Sequence, residues 1–323
     1  MTRALVVRQP GAPEAMQLED WPLADPAEGQ IAIRQTAIGV NFIDTYQRSG
    51  LYPVQTPFVA GNEGAGIVTG VGPGVTTFKS GDRVAYQGQV GAYAEERLLV
   101  AERVVALPDG VDERTAAAVM LKGLTAYYLL FKTWAVQPGE TILWHAAAGG
   151  VGQIATQWAK ALGARVIATV GSDEKAALAE QNGCDAVINY NAEDFAARVR
   201  ELTDGKGVDV VYDGVGKATF DKSLDCLRQR GLMVSFGNAS GVVAIPDVTI
   251  LSRKGSLYLT RPTTAHYVSR REDLLEGAGA LFDAIARQAI KVSISQTFPL
   301  ADAAKAHEAL ASRGTTGSIL LLP

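Results

Sequence analysis

Cysteine, histidine and long apolar runs are all scarce in this chain, and each scarcity excludes a class of protein. Its 323 residues include two cysteines, Cys184 and Cys226, so a disulfide framework is not expected and a reducing cytoplasm fits. Two cysteines rule out a four-cysteine metal site, and with only three histidines beside them we expect no closed tetrahedral site of soft ligands. We therefore expect no metal centre.

Membrane and nucleic-acid proteins are also disfavoured by what is missing. The longest apolar runs, such as 116–121 and 319–323, are far shorter than the roughly 20 residues that a membrane-spanning helix needs. The formal net charge of -4 gives no overall attraction to phosphate backbones or anionic lipid. Residues 1–20 have acidic, proline and glycine positions where a signal peptide needs a continuous apolar core. We expect a cytoplasmic protein with no membrane span and no nucleic-acid partner.

The composition that is present, 47% hydrophobic and 20% charged residues, is that of a globular protein. Single cores stop growing at roughly 250 to 300 residues, so the length favours two domains. Residues 1 to about 122 are rich in glycine, proline and β-branched residues with short strand-like runs, which predicts a mainly β domain. From about Thr141, short apolar strands alternate with helical stretches, which predicts an α/β domain.

The second domain is predicted to contain a doubly wound parallel sheet of six strands. The predicted strands are 141–145, 165–170, 186–190, 208–212, 232–236 and 256–260, and the helices between them are 151–162, 173–181, 192–203 and 218–228. Gly163, Gly183 and Gly231 are predicted to end three of these helices as C-terminal caps. The tail then reads as a helix, a strand, a helix over 301–312 and a closing strand, and we expect it to return to the first domain.

A glycine-rich turn over Ala146–Gly152 follows the first of these strands and opens its helix. Backbone that lies close to a pyrophosphate cannot carry side chains there, which suits Gly149 and Gly150, and the helix start offers N–H groups to the phosphates. Gly152 lets the helix pack tightly, whereas Ala147 stands where the usual fingerprint has its first glycine. A simple tight turn is the alternative, but the strand before and the helix after favour a dinucleotide.

The type of dinucleotide depends on the end of the second strand. Enzymes that use NAD commonly place an acid there to hold the ribose hydroxyls, but residues 169–172 contain no carboxylate. Ser172, Lys175 and Tyr190 are candidates to donate to a 2′-phosphate, although Ser172 or Asp173 serving only as a helix cap is the plainer interpretation. We predict NADPH in preference to NADH.

Motifs in the first half then show a family likeness. The segments 41–46 (NFIDTY), 61–66 (GNEGAG) and 81–84 (GDRV) precede the glycine turn in order, and the chain resembles the medium-chain dehydrogenase/reductase superfamily. Over nearly its whole length it resembles the zinc-free NADPH:quinone oxidoreductase branch, which includes zeta-crystallin. The runs that carry this likeness are NFIDTYQRSGLYP, KGLTAYYLL, HAAAGGVG, INY, SLDCLRQRGLMVSFGN and KGSLYLTRP.

The resemblance implies a GroES-like catalytic domain over 1–123, a Rossmann domain over 124–262, and a part over 263–323 that returns to the catalytic domain, with a cleft at the junction. It also implies a homodimer joined through the Rossmann sheets. The implied cofactor contacts are Asn41, Tyr128, Gly150, Val151, Gly171, Ser172, Lys175, Tyr190, Gly214, Phe236, Gly237, Asn238 and Arg313.

Zinc-dependent members of the superfamily bind their metal through Cys and His, and this chain departs from that pattern. Asn41 lies in the region that would supply the first ligand, and Asn62 stands at the position that resembles the His of a GHE motif. His145 is expected to be buried and hydrogen-bonded, and His307 to lie on a surface helix. Without a Lewis acid, acceptors that stabilise negative charge themselves are the better substrates.

A quinone is such an acceptor, because it takes a hydride onto a conjugated system and needs neither metal nor flavin. We expect Asn41, Asp44, Tyr46 and Tyr52 to surround the acceptor and the nicotinamide, with Asn41 and Tyr46 as catalytic candidates and Tyr46 as proton donor. The alternative for Tyr46 and Tyr52 is a packing role on a loop. Rival functions are an enone or alkenal double-bond reductase, and a non-catalytic NADPH-binding crystallin or RNA-binding protein.

Overall fold

The computed structural model describes residues 1–312 and 314–323, and these residues form two compact units. One, here called the β-rich unit, combines the two ends of the chain, and the other, the parallel-sheet unit, comes from the middle. The β-rich unit consists of Met1–Leu124, Val268–Ala286 and Val292–Pro323, and the parallel-sheet unit of Thr125–Tyr267 and Arg287–Lys291. No helix in this described part of the chain is both long and apolar enough to cross a bilayer.

Strands and helices are numbered here along the chain. The strands are β1 Thr2–Val7, β2 Met16–Trp21, β3 Gln30–Val40, β4 Phe58–Val59, β5 Glu63–Val71, β6 Arg83–Gln87, β7 Glu96–Val100, β8 Val104–Ala106, β9 Thr141–His145, β10 Arg165–Val170, β11 Ala186–Asn189, β12 Val208–Asp213, β13 Leu227–Ser235, β14 Tyr258–Thr260, β15 Ile294–Pro299 and β16 Ser318–Leu322. The helices are α1 Phe42–Ser49, α2 Glu113–Tyr127, α3 Gly150–Ala161, α4 Asp173–Gln181, α5 Phe195–Leu202, α6 Phe220–Cys226, α7 Thr249–Arg253, α8 Thr264–Tyr267, α9 Arg271–Ala286 and α10 Ala303–Ala311.

The β-rich unit is organised around the long strand β3. Its seven-stranded sheet has the order β15-β16-β3-β5-β6-β8, with β7 also paired to β3, and a smaller sheet has the order β2-β1-β4. Alternate residues of β3, including Ile31 and Ile33, are fully buried in a core that also contains Tyr86, Tyr93 and Leu99. β3 leads directly into α1. Its last residues pair with β16, so a strand from the C-terminal part of the chain supports the start of α1.

The parallel-sheet unit has six parallel strands in the order β11-β10-β9-β12-β13-β14. This is the doubly wound Rossmann order, and it confirms the predicted fold class. Leu143, Ile167, Val211 and Met233, one from each of four strands, meet in its core. The order reverses between β9 and β12, so loops from both halves of the sheet meet at that carboxyl edge.

Element boundaries differ from the prediction mainly around α6. The helix predicted over 218–228 ends at Cys226, and β13 begins at the next residue. Gly231 therefore lies inside a strand, and its prediction as a helix cap is wrong. A side chain there would meet the carbonyl oxygens of Arg228 and Asp209 at 3.0 and 3.1 Å, so close backbone approach explains this glycine. Gly163 and Gly183, at φ values of 84° and 87°, follow their helices as predicted.

Candidate active site and nucleotide site

The glycine-rich turn of the parallel-sheet unit lies between β9 and α3. Ala146 turns the chain at a φ of 54°, and Gly149 precedes the first helical residue. A Cβ on Gly152 would lie 2.5 Å from the Ala146 oxygen and 2.7 Å from the Ala147 Cα, both of them backbone atoms. Glycine is therefore required here for the helix to start against the strand. The first N–H groups of α3 are available to an anion, since a helix leaves them without intrahelical partners.

We expect Gly152→Ala to destabilise the protein by about 1–3 kcal/mol and to weaken NADPH binding, because the new methyl group pushes the turn away from the helix. Gly279→Ala is a matched control, since Gly279 lies in helix α9 with open space around it. The control is expected to be neutral or slightly stabilising, because alanine has the higher helix propensity. Urea unfolding and titration with NADPH measure both effects. Equal stability of the two variants would contradict the packing argument.

The end of β10 brings together four of the predicted cofactor residues. A Cβ on Gly171 would lie 2.7 Å from the Tyr190 hydroxyl, so these two residues are in close contact. Ser172 caps α4, and its Oγ accepts a hydrogen bond of 3.3 Å from the Lys175 N–H. Burial lowers the pKa of the Lys175 ammonium group. A phosphate group bound here would give the partly buried Lys175 ammonium group a negatively charged partner in place of the water that burial removes.

Asp173 is the acid that weighs against a phosphate here, and the structure gives its carboxylate a partner. Asn189 Nδ2 donates a hydrogen bond of 2.8 Å to Asp173 Oδ1. The bond ties Asp173 to the end of β11 on the exposed side of α4. Asn191 similarly donates to the Gly171 carbonyl oxygen at 2.8 Å. Neighbouring amides therefore organise the loop that holds Ser172 and Lys175.

The ends of β12 and β13 form the next part of this edge. A Cβ on Gly214 would meet the Phe236 ring at 3.0 Å, and one on Gly237 would collide with the Gly214 oxygen. The turn is fixed by Asp213, a fully buried acid that sequence reasoning missed. Its carboxylate accepts hydrogen bonds from Val215 N–H at 2.8 Å and from the Thr219 hydroxyl at 2.7 Å. Parallel topology explains why these loops share an edge with the glycine turn.

The remaining predicted cofactor residues have different surroundings. Asn238 is buried next to Gly237. Tyr128 is buried in a π-helical segment, and its ring stacks on Tyr267 with centroids 4.5 Å apart. Burial raises the pKa of its hydroxyl, which is hydrogen-bonded to Thr264. Arg313 lies outside the described residues.

In the β-rich unit, Asn41 begins α1 at the end of β3. Its N–H donates to Asp44 Oδ2 at 2.8 Å, which forms part of a capping box. Its side-chain Nδ2 donates to Glu63 Oε2 at 2.7 Å. The Glu63 carboxylate is fully buried and also accepts from Leu121 N–H at 2.6 Å and from Lys122 Nζ at 3.3 Å. Asn41 is thus anchored to β5 and α2.

Asp44 lies inside the same unit with only 1% of its surface exposed. Besides the Asn41 N–H, its carboxylate accepts hydrogen bonds from Asn62 Nδ2 at 2.7 Å and from the Tyr93 hydroxyl at 3.0 Å. Burial raises its pKa to about 6, against the opposing effect of these donors. The contacts make Asp44 an internal support for α1, and its place around the acceptor stays a prediction.

Tyr46 and Tyr52 are brought together, as their predicted shared role requires. Their ring centroids are 5.2 Å apart at an interplanar angle of 58°, and the Tyr52 N–H donates to the Tyr46 carbonyl oxygen at 3.0 Å. Phe42 extends the aromatic group, with its centroid 6.2 Å from that of Tyr46. All three rings are half-buried. They form a partly accessible aromatic surface along α1 and the residues that follow it.

The prediction for His145 is confirmed, whereas His307 lies on a helix with exposed positions, as expected, but on the buried face of that helix. His145 is buried, with Nδ1 2.7 Å from the Thr169 hydroxyl and Nε2 2.8 Å from the Ser223 hydroxyl, as expected. His307, expected on a surface helix, is fully buried, and its Nε2 lies 2.9 Å from the Tyr93 hydroxyl. Helix α10 buries Ala303, Ala306 and His307 on one face. The i, i+3, i+4 spacing of these residues was the signal that could have revealed it.

Metal-ligand chemistry has no obvious site in these units. Among residues 1–312 and 314–323, no group of three or more His, Cys, Asp and Glu side chains is arranged to hold a metal ion. Asn41 and Asn62, at the positions that would bear ligands in zinc-dependent relatives, are bonded to Glu63 and Asp44 instead.

Comparisons with known proteins agree with the two units. Residues 27–109 match the family model of the alcohol dehydrogenase GroES-like domain, and residues 150–270 match the model described as zinc-binding dehydrogenase. A quinone oxidoreductase from Pseudomonas aeruginosa is 56% identical over 315 residues, which cover 97% of each chain. The chain belongs to the quinone oxidoreductase branch of the medium-chain dehydrogenase/reductase superfamily.

Two further members of this superfamily extend the comparison. The crystal structure of Escherichia coli quinone oxidoreductase complexed with NADPH has a TM-score of 0.97 and 52% identity, and the match covers all of both chains. A 2-haloacrylate reductase from Burkholderia is 48% identical over 100% of this chain and 99% of its own. The branch therefore includes relatives named for quinones and one named for an activated alkene.

Proposed function

We propose that this protein is an NADPH-dependent quinone reductase, which transfers a hydride directly from the nicotinamide to a quinone without metal or flavin. The observation that carries the proposal is the likeness to quinone oxidoreductases at 56% identity over 97% of the chain. The match to a structure complexed with NADPH supports the cofactor. The aromatic surface of Tyr46 and Tyr52 suits a flat, conjugated acceptor.

The residues of the parallel-sheet unit fit this cofactor. Gly149, Gly150 and Val151 would hold the pyrophosphate at the start of α3, where the two glycines carry no side chain and the first helical N–H groups have no intrahelical partner. Ser172, Lys175 and Tyr190 would hold the 2′-phosphate. Bound NADPH supplies the hydride. The loops that carry Gly214, Phe236, Gly237 and Asn238 would bound the rest of the cofactor along the carboxyl edge of the sheet.

Lys175→Ala tests the phosphate site. We expect the KM for NADPH to rise about tenfold or more, because a charge-assisted hydrogen bond contributes roughly 1.5–3 kcal/mol, and the KM for NADH to change little. Lys206→Ala is the control, since Lys206 is an exposed lysine of the same unit. Steady-state kinetics with each nucleotide give the ratio. Equal rises for NADPH and NADH would remove Lys175 from the phosphate site.

In the β-rich unit, the chain has to orient the acceptor and supply one proton. Reduction of a quinone to the hydroquinone takes up one hydride and one additional proton. Tyr46 is the proposed proton donor, and its Oη would give the proton to the acceptor oxygen. Tyr52 would support the Tyr46 ring through the aromatic contact at 5.2 Å. Asn41 would help to orient the acceptor or the nicotinamide, held in place by Glu63.

The proposed function is tested by one assay panel: NADPH and NADH as donors, with quinones, enones, 2-haloacrylate and alcohols as acceptors, with and without a chelator. We expect NADPH oxidation with quinones, unchanged by the chelator. Turnover of alkenes but not quinones would make the protein a double-bond reductase, which the Burkholderia relative makes a specific alternative. Loss of quinone turnover after chelation would contradict the metal-free reaction. No oxidation with any acceptor would favour a binding protein.

We also propose a cytoplasmic homodimer joined through the sheets of the parallel-sheet units. Strand β14 is an edge strand, and its Tyr258 is 60% exposed. Val242 and Val248, in the segment that precedes it, are 57% and 69% exposed. An edge strand with apolar neighbours is a surface that proteins usually cover. Sedimentation velocity is expected to give the mass of two chains, and the mass of one chain would contradict the dimer.

A further inference from the structure

Three buried side chains from distant parts of the sequence meet inside the β-rich unit. Tyr93 lies in the connection between β6 and β7, Asp44 lies on α1, and His307 lies on α10. The Tyr93 hydroxyl is 3.0 Å from Asp44 Oδ2 and 2.9 Å from His307 Nε2. The rings of Tyr93 and His307 also pack edge to face, with centroids 5.6 Å apart. The three groups form a continuous buried chain, called the Asp44–Tyr93–His307 chain below.

The direction of each hydrogen bond in the Asp44–Tyr93–His307 chain follows from the contact of His307 with Arg48. Arg48 Nη1 lies 3.4 Å from His307 Nδ1, and a guanidinium group can only donate. His307 Nδ1 is therefore the acceptor, so the ring hydrogen is on Nε2 and is donated to the Tyr93 oxygen. Burial lowers the pKa of His307 to about 3, which keeps the ring neutral. The Tyr93 hydroxyl then donates to Asp44.

The Asp44 carboxylate organises the segment that is proposed to act on the acceptor. Asp44 accepts from the Asn41 N–H and from Asn62 Nδ2, so it links the first turn of α1 to the residue before β5. Tyr46 is two residues further along the same short helix. Loss of the Tyr93 hydroxyl would leave both Asp44 and His307 short of a buried partner. Such a loss is expected to loosen the start of α1.

We propose that Tyr93 and His307 are positioning residues for quinone reduction, because they fix the Asp44 carboxylate and, through it, the place of Asn41 and Tyr46. The proposal rests on the proposed function. Under this proposal, helix α10 supports the reacting segment, although His307 lies 214 residues after Tyr93 in the sequence.

The Asp44–Tyr93–His307 chain also predicts a pH dependence of activity, because a protonated Asp44 can no longer accept hydrogen bonds from all its donors. The charged groups around it are Glu63, whose negative charge raises its pKa, and Arg48, which faces Tyr93 and His307. Lys122 is paired with Glu63. With the pKa of Asp44 raised to about 6, activity is expected to fall as the pH drops through that range. Removal of the Tyr93 donor raises this pKa further and moves the acid limb of the profile to higher pH.

The test compares Tyr93→Phe, His307→Leu and His307→Gln in the full chain. We expect Tyr93→Phe and His307→Leu to lower kcat with a quinone about tenfold or more, with the KM for NADPH within about twofold, because misplaced groups slow the reaction more than they weaken binding. His307→Gln, whose amide can donate from a position near Nε2, is expected to recover much of the kcat. Lys305→Ala, an exposed change on the same helix, is the control.

The outcomes separate this proposal from the proposed function. If the wild-type protein reduces no quinone, the proposed function fails. If the wild type is active and Tyr93→Phe lowers only the melting temperature, with kcat and the pH profile unchanged, the positioning role is overturned. Should Tyr93→Phe not fold, the difference in kcat between His307→Gln and His307→Leu decides, and no difference overturns the proposal. Histidine 15N NMR gives a check without turnover: a cationic His307 at pH 5 would contradict the hydrogen-bond directions.

Discussion

Replacement of Tyr46 by phenylalanine is expected to lower quinone turnover about 100-fold, because general acid catalysis by a positioned side chain typically contributes a factor of roughly 10²–10⁴. Phenylalanine keeps the ring contact with Tyr52, whose centroid is 5.2 Å away, and removes only the hydroxyl. Stability should therefore change little. Steady-state kinetics from pH 5 to 10 measure the effect, and the limb of the profile that belongs to the donor should disappear.

Two comparison variants make the Tyr46 result specific. Tyr52→Phe removes the neighbouring hydroxyl, and we expect a smaller effect from it. Tyr258→Phe changes a tyrosine of β14, which is assigned to the proposed dimer interface and not to the reaction, and should leave turnover unchanged. If Tyr46→Phe keeps the turnover and pH profile of the wild type, Tyr46 is a packing residue. A larger loss in Tyr52→Phe would transfer the donor role to Tyr52.

The second large effect, on stability, is expected when the buried ion pair of Glu63 and Lys122 is broken. Their side chains are 0% and 7% exposed, and Glu63 Oε2 lies 3.3 Å from Lys122 Nζ. Glu63→Gln leaves the ammonium group buried without its countercharge, which typically costs about 3–5 kcal/mol. Asn41 also loses the carboxylate that accepts from its side chain at 2.7 Å. We expect a large loss of stability in urea unfolding, together with reduced turnover.

A double-variant cycle separates the pair from its individual charges. Lys122→Met alone should also destabilise the protein, because it leaves Glu63 charged with only its hydrogen bonds to Asn41 and Leu121. The combined Glu63→Gln and Lys122→Met variant should lose less than the sum of the two single variants, since it buries no unpaired charge. Additive losses would show that the two charges are energetically independent.

Much of the parallel-sheet unit could be predicted from the sequence, because its local signals agree with one another. Strands β9 and β10 have the predicted bounds, and so does helix α4. A buried parallel strand is a short, almost wholly apolar run, and such runs alternate here with helices that end in glycine. Around α6 this agreement fails. Residues 227–230 have no strong preference of their own. Pairing of Leu227 with Val208 of β12 draws the start of this stretch into β13, and the register shifts before the next pair, Val210 and Leu232.

The candidate site was only partly predictable, because its supports come from elements far apart in the sequence. Asn41, Tyr46 and Tyr52 are short-range neighbours, and one motif points to all of them. Glu63 and Lys122 are 59 residues apart. Sequence patterns do not report which polar side chains the folded core brings together. The periodicity of α10 places His307 on its buried face, but nothing near it identifies Tyr93 as its partner.

The pairing of β16 with β3 also has a consequence for biosynthesis. Residues Ile38 to Val40 pair with Leu321 to Ile319, near the far end of the chain. On the ribosome, the strand that leads into Asn41 emerges early and stays open along that edge until β16 has been made. All residues of the parallel-sheet unit, including Arg287–Lys291, have by then been synthesised. The segment proposed to carry the chemistry therefore acquires this neighbouring strand only after the parallel-sheet unit has been synthesised, and a chain interrupted before β16 would lack it.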